Sequence, residues 1–232
     1  MFSDAHCHLY MADKITQIIN ESLECNVGLF LNTAVDIESC EKIIKTINKN
    51  SVYGVLGISP DFSLSQLNEV DKLESILKNA IAIGEIGLDN KINVPINIQK
   101  RCFEKQLDLA VKNKLPVVIH SRGTLQLVEK ILEDKNIEKA MFHFFEGNEE
   151  VAKRLEKKGY LLSIPPLDYS RYSRVIKSVD LNTIVCETDF PAVGKTPCEV
   201  LKTIKKIAEI KNKEITFVGE LITQTIKAYF DI

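Results

Sequence analysis

Short apolar runs alternate with amphipathic segments along the whole chain, and this pattern predicts repeated strand and helix units. Eight runs have the length and composition of buried strands: Phe2 to His8, Val27 to Asn32, Val52 to Ile58, Ala80 to Gly84, Pro116 to His120, Lys139 to Phe144, Tyr160 to Ile164 and Thr183 to Glu187. A helical crossover is predicted after each of them. Eight such units are the number that closes a parallel barrel.

The helices are placed by their apolar stripes and by signals at their ends. Asp36 is a good N-cap, Asn148 opens a helix with two acids in its first turn, and Gly159 stops that helix. Other helices are predicted within Met11 to Cys25, Phe62 to Lys78, Leu125 to Leu132, Asp168 to Val179, Glu199 to Ile210 and Glu214 to Phe230, and another follows an irregular stretch from Asp89 to Pro95. We therefore expect an α/β protein: a single (β/α)8 barrel domain over residues 1–232, with a C-terminal helix.

All four histidines of the chain stand at or just beyond predicted strand ends: His6, His8, His120 and His143. Strand side chains alternate between faces, so His6 and His8 point the same way and can chelate one ion. Asp4 lies on the same face, and we expect it to orient a ring N–H of these histidines. Alone, each histidine is more often a hydrogen-bonded structural residue.

Carboxylates accompany these histidines at the strand ends. Glu85 stands between Gly84 and Gly87 and is costly to bury unless it is paired or bound to a metal. The eighth strand ends with Glu187 and Asp189, and spacing alone leaves open which of them faces the barrel mouth. An open doubly wound sheet would place its ligand at one switch point, whereas a closed barrel gathers all these strand ends. Such a ligand set is too large for one ion and indicates two metals that share a carboxylate.

Composition narrows the possible partners. Lysine and arginine number 30 against 32 acidic residues, a formal charge of -2, which excludes a global positive field for nucleic acid. No run approaches the length that spans a bilayer. The six cysteines form no C-x-x-C pair, and we expect buried free thiols in a cytoplasmic protein with no membrane association and no obligate protein partner.

Five ordered motifs resemble those of the TatD-type metal-dependent hydrolases, a family of the amidohydrolase superfamily. They are Asp4-Ala5-His6-Cys7-His8, Gly84-Glu85-Ile86-Gly87-Leu88-Asp89, Pro116 to Arg122, His143-Phe144-Phe145-Glu146-Gly147 and Glu187-Thr188-Asp189-Phe190-Pro191. The resemblance covers nearly the whole chain and implies a (β/α)8 barrel with two divalent cations, among which zinc, magnesium and manganese are candidates. It also implies that His6, His8 and Asp189 hold one cation, that His120 and His143 hold the other, that Glu85 bridges them, and that Arg122 lies near the substrate.

Three positions depart from the family pattern. Ser59 replaces the histidine of a Gly-Ile-His-Pro turn, Ala192 to Pro197 replaces a longer loop to Asn-Glu-Pro, and Thr225 replaces an asparagine of the final helix. None of them removes a predicted ligand. Chemistry is therefore expected to transfer from the family more safely than substrate specificity.

The function expected from these residues is hydrolysis of phosphodiesters by a metal-activated water, as in a deoxyribonuclease, with Glu85 and Asp189 as catalytic residues. Without a basic surface, DNA strand ends or short oligonucleotides suit the mouth better than long duplex DNA. Two alternatives stay open: a hydrolase of amide or ester bonds in a small molecule, and a barrel that binds metal without turnover.

Overall fold

The computed structural model describes residues 1–48, 50–167 and 169–232. Eight parallel strands form one sheet in which spatial order follows chain order. They are β1 (Phe2–Cys7), β2 (Val27–Thr33), β3 (Val52–Leu56), β4 (Ala80–Asp89), β5 (Val117–Arg122), β6 (Ala140–Phe142), β7 (Leu161–Ile164) and β8 (Ile184–Cys186). The sheet curls into a nearly closed barrel, and backbone hydrogen bonds join its first and last strands at the upper edge, from Asp189 N to His6 O (2.9 Å) and from His8 N to Phe190 O (2.6 Å). The predicted fold class is confirmed.

Helices connect the strands around the outside of the barrel. They are α1 (Ile15–Glu24), α2 (Ile37–Ile44), α3 (Ser63–Gln66), α4 (Val70–Ile76), α5 (Ile96–Asn113), α6 (Leu125–Asp134), α7 (Glu149–Lys157), α8 (Tyr169–Ser178), α9 (Val200–Lys211) and α10 (Ile215–Phe230). The helix predicted within Asp168 to Val179 corresponds to α8, although Asp168 itself lies outside the described residues. The single helix predicted from Phe62 to Lys78 is divided by 3-10 turns into α3 and α4.

The predicted end signals act as expected. The side chain of Asp36 accepts a hydrogen bond from Ser39 N at 2.8 Å, and Ser39 Oγ accepts one from Asp36 N at 2.9 Å, which completes a capping box. Asn148 caps α7 by accepting from Val151 N. Gly159 has a φ of 74°, in the left-handed region that commonly ends a helix.

Strand β4 is longer than the apolar run predicted it to be. The prediction ended it at Gly84, just before the charged Glu85, but β4 continues to Asp89. Here the glycines permit close approach: a Cβ on Gly84 would lie 2.6 Å from Val118 Cβ, and one on Gly87 would lie 1.9 Å from His120 O. The extension carries Glu85 and Asp89 on the strand itself.

Helix α10 packs against the opposite end of the barrel, where β1 begins. Gly219 lies against the ring of Phe2, and a Cβ at that position would come within 2.3 Å of the ring. Thr223 Oγ1 donates a hydrogen bond to Ser3 Oγ at 3.1 Å. The predicted C-terminal helix therefore supports the strand that carries His6 and His8.

The expectation of six free thiols is wrong. Cys25 and Cys198 form a disulfide with a Cα–Cα distance of 5.8 Å, across 173 residues of sequence. The other four cysteines are free and buried. Local spacing cannot reveal this pair, because only the folded barrel brings the end of α1 beside the turn that precedes α9. One ground for expecting a cytoplasmic protein is thereby removed. Among the described residues, none of the helices combines the length and apolar character needed to cross a bilayer.

Candidate metal centre

Three side chains from the first and last strand ends converge at the barrel mouth. His8 Nε2 lies 3.1 Å from Asp189 Oδ1, and His6 Nε2 lies 3.7 Å from the same oxygen. His6 is fully buried, and His8 is nearly so. His8 Nδ1 lies 2.7 Å from the carbonyl oxygen of Thr33, which can only accept, so Nδ1 donates there and Nε2 is the nitrogen that faces the site.

A second group comes from β5 and the segment after β6. His120 Nδ1 lies 3.1 Å from His143 Nε2. The two oxygens of Glu85 reach both rings, with Oε1 3.7 Å from His120 Nδ1 and Oε2 3.7 Å from His143 Nε2. Glu85 Oε2 is also 3.0 Å from His6 Nε2. The carboxylate of Glu85 therefore lies between the two groups and contacts both.

The donor set fits divalent cations. Two groups place one potential ligand atom per residue within 4.8 Å of one another, His6 with Glu85 and His143, and His6 with His8 and Asp189. Both ring nitrogens of His6 are buried; among the described residues Nδ1 has no hydrogen-bond partner, and Nε2 faces the carboxylates of Glu85 and Asp189. Imidazole and carboxylate donors suit zinc, manganese and related ions. All six predicted ligands are thus brought together at one place, and their assignment as ligands stays a prediction.

The ionisable side chains of this site shift one another's pKa values. Burial opposes ionisation of Glu85, but the neighbouring His143 and His6 outweigh it and hold the pKa of Glu85 well below its usual range. Burial disfavours the charged form of His143, yet Glu85, Glu187 and Asp189 raise its pKa to about 9. At His6, burial and the nearby His143 lower the pKa. The ionised carboxylates thus retain a proton on His143, and a metal cation can replace that positive charge.

The spacing argument left Glu187 and Asp189 open, and the structure separates them. Asp189 faces His6 and His8. Glu187 is fully buried behind His143: its Oε1 accepts a hydrogen bond from Phe144 N at 2.7 Å and lies 3.6 Å from His143 Nδ1. Asp189 is therefore placed as a ligand would be, and Glu187 supports a histidine from the outer side.

The expected role of Asp4 is wrong. Its carboxylate does not contact a histidine ring: it accepts hydrogen bonds from Thr188 N at 2.9 Å, from the Thr188 hydroxyl and from His6 N at 3.3 Å. Burial raises its pKa to about 8 despite these hydrogen bonds. Asp4 thus ties β1 to the segment after β8, because the backbone N–H and the hydroxyl of Thr188 both donate to its carboxylate.

Arg122 lies at the rim of a cavity of about 200 Å³ beside the histidine cluster. The cavity is lined by His120, Ser121, Arg122, His143, Phe144, Glu146, Asp189 and Val193. The side chain of Arg122 is half exposed, and its Nε lies 2.9 Å from Asp89 Oδ2. Sequence reasoning gave Asp89 no role, although its position after two glycines in the Glu85 motif marked the strand that carries it.

The three departures from the family pattern occupy different places. Ser59 is buried and precedes the 3-10 turn that begins at Pro60. The short segment after Pro191 folds back on the site, with Val193 N donating to Asp189 O and Gly194 N to Thr188 O. Thr225 lies on α10 and lines a separate groove with Lys139 and Tyr160.

Comparisons with known proteins agree with this architecture. A family model described as TatD related DNase matches residues 3–231, and the chain belongs to this family. An uncharacterized metal-dependent hydrolase of Methanocaldococcus jannaschii is 29% identical, with 99% of this chain and 96% of the relative covered. The human deoxyribonuclease TATDN3 is 27% identical, with 98% of this chain and 93% of the relative covered.

A solved structure shares the fold over the full length. The TatD homolog YjjV of Escherichia coli K12 superposes with a TM-score of 0.89 at 21% sequence identity, covering 100% of this chain and 98% of that one. The protein is accordingly a metal-dependent hydrolase of the TatD family.

Proposed function

We propose that the protein is a binuclear metal-dependent phosphodiesterase that acts on DNA strand ends or short oligonucleotides. The observation that carries this proposal is the carboxylate of Glu85, which lies within 4.0 Å of a ring nitrogen on all four histidines. A carboxylate in that position can bridge two cations. The name of the human relative, a deoxyribonuclease, favours DNA as the substrate.

The roles of the ligands follow from their grouping. His6, His8 and Asp189 would hold one cation, His120 and His143 the other, and Glu85 would contact both. When bound, divalent cations supply Lewis acidity, which lowers the pKa of water and neutralises charge on a phosphoryl oxygen. His8 and His120 each present a defined nitrogen to the site, since Thr33 O and Asp89 occupy their other nitrogens.

Asp189 is positioned to move the proton. Its side chain faces His8 and also lines the cavity. It can therefore contact both a cation held by His8 and the water that attacks the substrate. Burial opposes ionisation, but the hydrogen bond from His8 and the charges of His6 and His143 hold the pKa of Asp189 below its usual range. Asp189 is therefore ionised at neutral pH, accepts the proton of the attacking water and returns it to the leaving oxygen.

Arg122 gives the site its preference for phosphate. It is the one arginine or lysine among the described residues that line the cavity. A guanidinium binds two phosphoryl oxygens in a fixed geometry, which an amide or ester carbonyl does not require. A cavity of about 200 Å³ admits a strand end more readily than a duplex. The near-neutral charge of the chain is consistent with that choice.

A parallel substrate screen tests the proposal. The protein is stripped with chelator, reloaded with zinc, manganese or magnesium, and assayed on a labelled single-stranded oligonucleotide, bis(4-nitrophenyl) phosphate, 4-nitrophenyl acetate and N-acetyl amino acids. We expect cation-dependent hydrolysis of the first two. Asp189→Asn should lower turnover by roughly 10²- to 10⁴-fold, the usual contribution of general acid–base catalysis, while part of the cation content is retained.

Asp108→Asn is the matched control, because Asp108 is an exposed carboxylate on α5 that pairs with Lys135 away from the cavity. This variant should hydrolyse at the rate of the unaltered protein. If only the carbonyl substrates were hydrolysed, the phosphodiesterase proposal would be wrong, and the protein would be an amide or ester hydrolase. Full turnover in metal-loaded Asp189→Asn protein would remove the proton role of Asp189.

A further inference from the structure

Asp89 is a buried carboxylate that contacts both a predicted cation ligand and the predicted phosphate-binding residue. It is 1% exposed at the end of β4. Its Oδ2 lies 3.0 Å from His120 Nε2 and 2.9 Å from Arg122 Nε. Among the described residues, His120 and Arg122 both reach this one carboxylate, and they stand two positions apart on β5.

The backbone fixes Asp89 in this position. Asp89 pairs with Arg122, and Gly87 with His120, in the register between β4 and β5. The side-chain amide of Gln99 makes two hydrogen bonds to the main chain of Asp89. It accepts from Asp89 N at 2.8 Å and donates to Asp89 O at 2.9 Å. Lys91 N donates to Asp89 Oδ1 at 2.7 Å. The carboxylate therefore has a single orientation: Oδ2 faces His120, and Arg122 Nε lies against both oxygens, 2.9 Å from Oδ2 and 3.2 Å from Oδ1, to which it donates a hydrogen bond.

The contact between Asp89 and His120 determines which ring nitrogen of His120 is left to bind a cation. A carboxylate only accepts when ionised, so His120 Nε2 carries the proton and Nδ1 presents its lone pair to the site. Nδ1 is the atom that lies 3.1 Å from His143 Nε2 and 3.7 Å from Glu85 Oε1. The outer contact of His120 therefore selects the nitrogen that faces the proposed second cation.

We propose that Asp89 is a positioning residue that couples cation binding at His120 to phosphate binding at Arg122. This inference rests on the proposed function for the identity of the two ligands. By holding the Nε2–H tautomer of His120 it keeps Nδ1 available, and by pairing with Nε of Arg122 it leaves the two terminal nitrogens of the guanidinium free for an anion. Loss of the carboxylate weakens both.

Asp89→Asn is the informative substitution, since the amide keeps the volume and one acceptor for Lys91 N. The nitrogen of the amide group faces His120 Nε2, and two donors cannot pair there. His120 then changes to the Nδ1–H tautomer, which blocks the atom that faces the cation. We expect cation affinity at the site that contains His120 to fall about 10- to 100-fold, as outer-shell substitutions usually produce.

The experiment measures tautomer and affinity rather than turnover. Zinc-loaded protein labelled with ¹⁵N-histidine contains four imidazoles, and their spectra report which ring nitrogen of each carries the proton. In the unaltered protein His120 should be protonated at Nε2. Zinc affinity is measured by chelator competition, and the affinity for inorganic phosphate by calorimetry.

Two variants separate the halves of the proposal. Arg122→Gln should weaken phosphate binding while zinc affinity and the His120 tautomer stay unchanged. Glu187→Gln alters the support of His143 and should leave the His120 signal in place. If Asp89→Asn does not fold, Asp89→Ser removes the charged acceptor without adding an opposed amide, and the spectrum of the unaltered protein is a test by itself.

An Nδ1-protonated His120 in the unaltered protein would overturn the proposal, as would unchanged zinc affinity in folded Asp89→Asn protein. Phosphate affinity that is lost in Arg122→Gln but intact in Asp89→Ser, which removes both carboxylate oxygens from Arg122, would overturn the coupling. These readouts do not depend on hydrolysis. Failure of the phosphodiesterase proposal therefore appears in the substrate screen, and failure of this one appears in the spectra and affinities.

Discussion

Gly87 holds a backbone conformation that residues with side chains rarely adopt, directly beside a predicted ligand. Its φ is 148°, and a Cβ there would lie 1.9 Å from the carbonyl oxygen of His120. Replacement by alanine therefore forces β4 away from β5 where Glu85 and His120 face each other. One residue without a side chain thus controls the distance between two predicted ligands.

We expect Gly87→Ala to destabilise the protein by roughly 2–6 kcal/mol, since strained backbone and steric overlap each cost roughly 1–3 kcal/mol. Urea unfolding measures the loss, and zinc affinity should fall with it. Gly159→Ala is the control, because φ there is also positive, at 74°, but nothing lies within 4 Å of the added carbon. That change should cost roughly 1 kcal/mol. Equal losses in the two variants would contradict the steric argument.

At the scale of elements, helices α6 and α7 are joined by an ion pair between the buried Glu129 and the half-exposed Arg154. Glu129 on α6 is 5% exposed, and both its oxygens accept from Arg154 on α7, at 2.7 and 2.8 Å. Lys158 Nζ adds a contact at 3.0 Å. The hydrogen bonds from Arg154 hold the pKa of Glu129 below its usual range, against the effect of burial and with help from Lys158.

Glu129→Gln should lower the free energy of unfolding by about 1.5–3 kcal/mol at pH 7, the usual value for hydrogen bonds to a charged group. Because the pKa is lower in the folded state, this stabilisation is present above the unfolded pKa of about 4.3 and is lost as pH falls below it. Urea unfolding of both proteins at pH 7, 5 and 3.5 should show the difference shrinking with acid.

The control for this pair is Glu133→Gln on the same helix, where the side chain is half exposed and contacts Lys158. Exposed ion pairs contribute up to about 1 kcal/mol, so this variant should stay close to the unaltered protein. A Glu129 effect that is independent of pH would show that packing, rather than charge, joins the two helices.

The elements that sequence predicted well are those with strong local signals. The apolar runs of β2 and β7 and the caps at Asp36 and Asn148 depend on neighbours in sequence, and the structure places them as predicted. The full length of β4 was not predictable in this way. Its last residues are strand because glycines allow β5 to approach, and that contact forms only after folding.

In the candidate site, too, some features were predictable from the sequence and others depend on contacts that form only in the folded protein. The positions of the four histidines and Glu85 followed from strand ends and barrel closure, which general rules for parallel sheets supply. The choice between Glu187 and Asp189 depends on how the chain turns after β8, and Asp189 has a φ of 50° that spacing does not reveal. The contact of Asp89 with His120 and Arg122 likewise depends on register between strands.

At the scale of the whole molecule, the disulfide between Cys25 and Cys198 links α1 to the segment that follows the last strand. Crosslinks over long loops restrict the unfolded chain strongly in the chain-entropy model. We expect reduction, or the Cys198→Ser substitution, to lower the free energy of unfolding by roughly 2–5 kcal/mol.

Thiol titration under denaturing conditions tests the link directly. Protein that has not been reduced should expose four reactive thiols, and reduced protein six. The Cys40→Ser variant is the control, because Cys40 is a buried free cysteine and its loss should remove one thiol from each count. Six thiols before reduction, in protein purified without reductant, would contradict the crosslink.

The seam where the barrel closes has a thermodynamic consequence. His6 lies on the first strand, His8 directly follows it and Asp189 follows the last strand, so a cation held by these three residues would join the two edges of the sheet. Loading the protein would then slow amide exchange at His8 and Asp189, whose backbone hydrogen bonds span that seam. Cation binding and barrel closure would then be coupled, and chelation would weaken the contact between β1 and the segment after β8.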